Sequence, residues 1–161
     1  MSYYKQGKVL DEKLDQFQEN YIEIGRTDKM AQKIVKHVKD MVSEANEEVE
    51  TTLIVDASKY FEDSQFVFVD IRDPREIQRE GKIPNSFSCP RGMLEFWIDP
   101  DSPYHKDIFN QNKKYVFYCA AAGRSALAAK AAQDMGLNPV SHLEGGFAAW
   151  KKSGNPIETK E

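Results

Sequence analysis

From Thr51 onward, short runs of β-branched and aromatic residues alternate with stretches of helical periodicity. That pattern predicts a parallel sheet with helices on both faces. The runs place strands over residues 53–55, 66–70, 86–88, 115–118 and 140–143. Asp73 stands where an N-cap belongs, with Pro74 at the first helical position and Glu76 at the third, so a helix starts there. An Ala-rich stretch from Ala126 to Met135 predicts another helix, which Gly136 ends. Residues 98–103, rich in Asp and Pro, read as a surface loop. The first part of the chain has helical rather than strand periodicity. Leu10, Leu14, Phe17 and Tyr21 form one apolar stripe; Gly25 interrupts it; Thr27 caps a second helix whose stripe is Met30, Ile34, Val38, Met41, Val42 and Ala45. The chain therefore divides into an N-terminal helical extension, residues 1–48, and an α/β domain, residues 49–161. The stripes need cover, either from the domain itself or by self-association or contact with another protein.

Composition narrows the class of function. The 161 residues suit one domain with a sizeable core and some excess. A net charge of -4, with both signs mixed throughout, points to neither nucleic acid nor an anionic membrane as partner. Met1-Ser2-Tyr3-Tyr4 leads into polar sequence, and no apolar run is long enough to span a bilayer. Two cysteines, Cys89 and Cys119, make neither a disulfide framework nor a CxxC metal pair, which fits a reducing compartment and hence the cytoplasm. His37 and His105 have no partners at a metal-ligand spacing, and His142 belongs to a strand.

The chemistry concentrates at Cys119. It closes the apolar run Tyr115-Val116-Phe117-Tyr118 and is followed by Ala120-Ala121-Ala122-Gly123-Arg124-Ser125 and then the Ala-rich helix. In a strand, tight loop, helix arrangement, the N–H groups of the loop and of the helix start converge on one spot and stabilise a negative charge on the sulfur. The small residues Ala120, Ala121, Ala122 and Gly123 let the backbone curl around the sulfur. Arg124 adds a fixed positive charge, and the Ser125 hydroxyl can cap the helix or bond the anion. Cys89, in Ser88-Cys89-Pro90, has no such surroundings and reads as a packed structural thiol.

At these residues the sequence resembles the rhodanese family, sulfurtransferases that carry sulfur as a cysteine persulfide. Three further segments agree, in the same order: Val69-Asp70-Ile71-Arg72-Asp73-Pro74-Arg75-Glu76, Gly81-Lys82-Ile83-Pro84-Asn85, and Leu143-Glu144-Gly145-Gly146-Phe147-Ala148-Ala149-Trp150. The resemblance covers about residues 49–157, and Pro90-Arg91-Gly92-Met93-Leu94-Glu95-Phe96 looks like a bacterial single-domain subgroup. It implies a three-layer sandwich with a central parallel sheet of about five strands. It also implies a persulfide on Cys119, formed from a small anionic sulfur donor and discharged to a thiol or cyanide, with no metal or organic cofactor. A sulfur-relay protein is an alternative partner, the domain then acting as a carrier or regulatory binding module.

The resemblance places Arg72 near the Cys loop, although an ion pair with Asp70 or Glu76 accounts for it equally. Arg91 either reaches an anionic substrate or is a solvated surface residue. Phe147 and Trp150 are expected in the core. Cysteine phosphatases and arsenate reductases of related fold use a longer Cys-to-Arg loop; the four residues between Cys119 and Arg124 make a smaller cradle, matched to a single sulfur. Many family loops place Gly three residues after the Cys, where this chain has Ala122. A positive φ there costs Ala about 1 kcal/mol. The loop lacks both the basic residues of thiosulfate-specific members and the Gly-Ser pattern of mercaptopyruvate-specific ones, which leaves the donor open.

Overall fold

A computed structural model of the chain describes residues 32–159, and one compact unit begins at Lys36. Its sheet has five strands: β1 (Glu50–Thr52), β2 (Phe66–Asp70), β3 (Phe87–Ser88), β4 (Lys114–Tyr118) and β5 (Val140–Leu143). They lie in the order β1-β5-β4-β2-β3, all parallel. Strand β4 is therefore central, with Val69 opposite Phe117 on one side and His142 opposite Phe117 on the other. Such a strand is covered on both faces and must be apolar throughout, as Tyr115-Val116-Phe117-Tyr118 is.

The period of two along β4 sorts its side chains into two cores. Tyr115, Phe117 and Cys119 pack with Val69, Leu94 and the alanines of a long helix. Val116 and Tyr118 pack with Phe68, Leu143, Phe147 and Trp150. The helices that supply these layers are α1 (Val38–Glu48), α2 (Ile54–Tyr60), α3 (Pro74–Glu80), α4 (Leu94–Ile98), α5 (Gly123–Asp134) and α6 (Gly146–Lys152). Ala126, Ala128, Ala129 and Ala132 are fully buried on α5, which lets this helix lie close against the sheet. Helix α1 packs on α5, and Gln133 Nε2 donates to the Glu48 carbonyl at 3.0 Å. Trp150 is buried with its Nε1 donating to the Pro156 carbonyl at 2.7 Å. No helix among the described residues is long and apolar enough to cross a membrane.

Two expectations from the hydrophobic pattern are corrected. The run Leu53-Ile54-Val55 is not a strand; it opens helix α2, with Leu53 and Val55 exposed and Ala57 buried. The first strand is the polar segment just before it, which pairs Glu50, Thr51 and Thr52 with Ser141, His142 and Leu143. Its side chains bond across the pair, Thr52 Oγ1 to Ser141 Oγ at 2.6 Å and Thr51 Oγ1 to His142 Nε2 at 3.2 Å. An edge strand can be specified by its ladder and not by its own apolarity. The second N-terminal helix begins after His37, residues 32–37 being non-helical, and Ile34 and Val38 are 66% exposed. Thr27 and the whole 10–21 stripe lie outside the described residues.

The C-terminal end of β2 holds a fully buried ion pair. Arg72 Nη2 lies 2.7 Å from Asp70 Oδ2, its Nε lies 2.9 Å from Oδ1, and Nη2 also donates to the Gly81 carbonyl at 2.7 Å. The guanidinium sits 4.1 Å from the centre of the Phe147 ring. Arg72 thus ties β2, the end of α3 and α6 together. Breaking a buried pair from one side strands the other charge, so Arg72→Met should lose about 3–5 kcal/mol of stability in urea unfolding. A loss within about 0.5 kcal/mol, the usual effect of a surface substitution, would show that the pair does not hold these elements.

Candidate active site

Cys119 follows the last residue of the central strand, and the chain turns at once into α5. The turn needs a left-handed residue, and Ala122 takes it with φ of 73°. This is the position where a glycine would carry no strain; Gly123, one place later, faces open space where its Cβ would stand. The sequence thus has its glycine one residue past the point where the backbone asks for it. The thiol of Cys119, 1% exposed, lies 3.5 Å from Ser125 Oγ, and that hydroxyl donates to the Ala122 carbonyl at 3.2 Å. Among the described residues, no backbone N–H from 120 to 125 donates to a backbone carbonyl. They are the orphan donors of a loop and a helix start, the kind of groups that bind an anion.

A second helix start fixes this loop from below. Gly145 and Gly146 both have φ of 64°, so the chain leaving β5 folds directly into α6. The Phe147 N–H then donates to the Cys119 carbonyl at 2.7 Å and the Ala148 N–H to the Ala120 carbonyl at 3.0 Å. A Cβ on Gly146 would stand 2.5 Å from the Cys119 oxygen, closer than real contacts allow. The carbonyls of the loop are thereby turned toward α6.

Charge reaches the site through Arg124. Its Nη1 lies 2.8 Å from Glu76 Oε2 and its Nη2 2.9 Å from Glu76 Oε1, a two-pronged pair between α5 and α3. Glu76 is held in turn by the capping box the sequence announced. Asp73 Oδ1 accepts from the Arg75 N–H at 2.8 Å and Glu76 Oε2 from the Asp73 N–H at 3.0 Å. The Arg124 bond, together with the Asp73 N–H and against some desolvation, lowers the Glu76 carboxyl to about 2. Glu76 first, and the Cys119 sulfur after it, hold Arg124 firmly charged.

The other sequence candidates fall elsewhere. Arg72 is 0% exposed and committed to Asp70, the structural alternative for it. Arg91 lies in the 3₁₀ turn Arg91–Met93, and its Nη1 is 2.8 Å from Glu95 Oε1. Cys89 is fully buried, and burial, with Glu95 adding to it, pushes its thiol up to about 12. Both the burial and the raised thiol disfavour a thiolate there. Sequence reasoning missed two contributors: Glu76 as the partner of Arg124, and the Gly145-Gly146 start of α6 as the clamp on the loop. The capping signature gave away the position of Glu76 but not its second bond.

The Glu76 carboxyl sits below its ordinary value of 4.5, at about 2, so the stability it contributes is full above pH 4.5 and lost as pH falls through about 2. In urea unfolding at stepped pH, the stability difference between wild type and Glu76→Gln should shrink across that window. A difference that stays constant over it would show that Glu76 is not held by Arg124.

Comparison with known proteins shows the family to which this domain belongs. The rhodanese-like domain model matches residues 53–153. A protein from Allochromatium vinosum named sulfurtransferase is 32% identical over 95 residues, 59% of this chain and 80% of its own length. An uncharacterized protein from Synechocystis is 33% identical over 95 residues, 58% of this chain; the chain spans 48% of that relative's length. The solved structure of a Rhodopseudomonas palustris protein, named a protein of unknown function and possible tyrosine phosphatase, shares 61% identity at a TM-score of 0.78. That match covers 81% of this chain and 100% of the other. The match across residues 53–153 encloses the Cys119 loop, the Glu76 helix and the clamp of α6, and the chain belongs to the rhodanese-like domain family.

Proposed function

We propose that this protein is a sulfurtransferase that moves a sulfane sulfur from a small donor, thiosulfate or a persulfide, to a thiol or cyanide through a persulfide on Cys119. The observation that carries the reading is a buried Cys119 followed by a tight loop whose N–H groups, residues 120–125, donate to no backbone carbonyl, with Arg124 at its side. In this mechanism the Cys119 thiolate attacks the outer sulfur of the donor. With thiosulfate, the donor's S–S bond breaks and its electron pair leaves with sulfite, while Cys119 becomes a persulfide anion. An acceptor nucleophile then takes the terminal sulfur, and the electron pair of the Cys119 S–S bond returns to Cys119 as thiolate.

The same N–H groups serve the attacking thiolate and the loaded persulfide, so the loop need not rearrange between half-reactions. Gly123 adds no bulk to the loop, nothing lying within 4 Å of where its Cβ would be. The loop holds four residues between Cys119 and Arg124 and suits a sulfur better than a tetrahedral phosphate. Both cysteines are free, consistent with a reducing compartment such as the cytoplasm.

Thiocyanate formation from thiosulfate and cyanide tests the proposal. Cys119→Ser should abolish turnover and Cys89→Ser should retain most of it. Arg124→Ala, which leaves Glu76 unpaired beside the cradle, should cost about 2–4 kcal/mol in kcat/KM. Hydrolysis of a phosphate monoester with no sulfur transfer would replace this reading with a phosphatase. Persulfide loading without turnover to cyanide would make the protein a carrier that discharges to a protein partner.

A further inference from the structure

The charge of the guanidinium at the cradle is already paired. Arg124 gives both of its η nitrogens to Glu76, at 2.8 and 2.9 Å, and the Glu76 side chain is only 22% exposed. The carboxylate cannot swing aside freely, because Oε2 also accepts from the Asp73 N–H at the start of α3. The pair is therefore a fixed feature of the packed domain, and its net charge is zero. What remains to attract an anion is the set of loop N–H groups and the first turn of α5, an attraction equivalent to about half an elementary charge at the helix end. That suits the single charge of a persulfide. A dianion would bring a second charge up to the edge of the cradle, where a carboxylate already stands.

We propose that Glu76 is a specificity-determining residue: by neutralising Arg124 it favours donors that carry the sulfane sulfur as a hydropersulfide on an organic thiol, over dianionic thiosulfate. This rests on the sulfur-transfer reading above. The step balances as follows. The Cys119 thiolate attacks the terminal sulfur of R–S–SH, the donor S–S bond breaks, and its electron pair leaves on R–S⁻. The proton of the transferred sulfur passes to R–S⁻, giving R–SH and the Cys119 persulfide anion. No oxidant or reductant is needed. Cys119 is 1% exposed, so only a slim terminal sulfur reaches it, and the rest of R stays outside the loop.

The test measures the rate constant for loading Cys119, by quenched intact-mass spectrometry, with thiosulfate and with the hydropersulfide of mercaptoethanol. Glu76→Gln keeps an oxygen for the Asp73 N–H and removes the charge that offsets Arg124. The ratio of the thiosulfate to the hydropersulfide constant should rise about tenfold in Glu76→Gln, since a freed charge acts more strongly on the donor with more charge. An unchanged or lower ratio overturns the proposal. A second measurement needs no variant: wild-type loading by thiosulfate should change less than about twofold as salt is raised, the charge of Arg124 being offset by Glu76. A steep fall with salt also overturns it. If neither donor loads wild-type Cys119, it is the sulfur-transfer reading that fails.

Discussion

The site depends on the orientation of a few peptide groups after strand β4. For the N–H groups of residues 120–125 to face the sulfur, the carbonyls of Cys119 and Ala120 must face away, and each must find a donor. Helix α6 supplies both, through the N–H groups of Phe147 and Ala148. That contact is close enough to require Gly146, and it exists only because β5 lies next to β4 and delivers α6 beneath the loop. Sheet order, a glycine pair and an anion cradle are thus one connected constraint. Ala122 at φ of 73° is the strain the chain accepts to complete the turn.

Electrostatics divides into a fully buried pair and a half-exposed one. Asp70 and Arg72 are both 0% exposed and lock β2 to its surroundings. Arg124 and Glu76, with side chains 45% and 22% exposed, join helices α5 and α3. The first pair stabilises the frame. In the proposed reaction the second sets how much positive charge a substrate meets. Cys89, the other thiol, is buried and raised to about 12 by that burial.

Much of this was legible because it is written locally. The apolar run into Cys119, the small residues after it and the alanines beyond predict a strand, a loop and a close-packed helix, and β4, a tight loop and α5 follow them. Asp73-Pro74-Arg75-Glu76 predicts a capped helix, and the capping box is present. What failed was non-local. Glu50–Thr52 is polar and becomes a strand only by pairing with β5, while Leu53-Ile54-Val55 looks like a strand and starts a helix. The bond between Arg124 and Glu76 spans 48 positions, and no periodicity marks it. The resemblance drew attention to Glu144-Gly145-Gly146-Phe147, but only the folded chain gives those glycines their task of clamping the loop carbonyls.

The central claim is that one sulfur, on one of two cysteines, is the reacting atom. Peptide mapping by mass spectrometry after incubation with a sulfane donor addresses it directly. The account requires the added mass of one sulfur atom on the peptide that contains Cys119, removed by cyanide or by dithiothreitol, and none on the peptide that contains Cys89. Sulfur found on Cys89, or on neither cysteine, would contradict it.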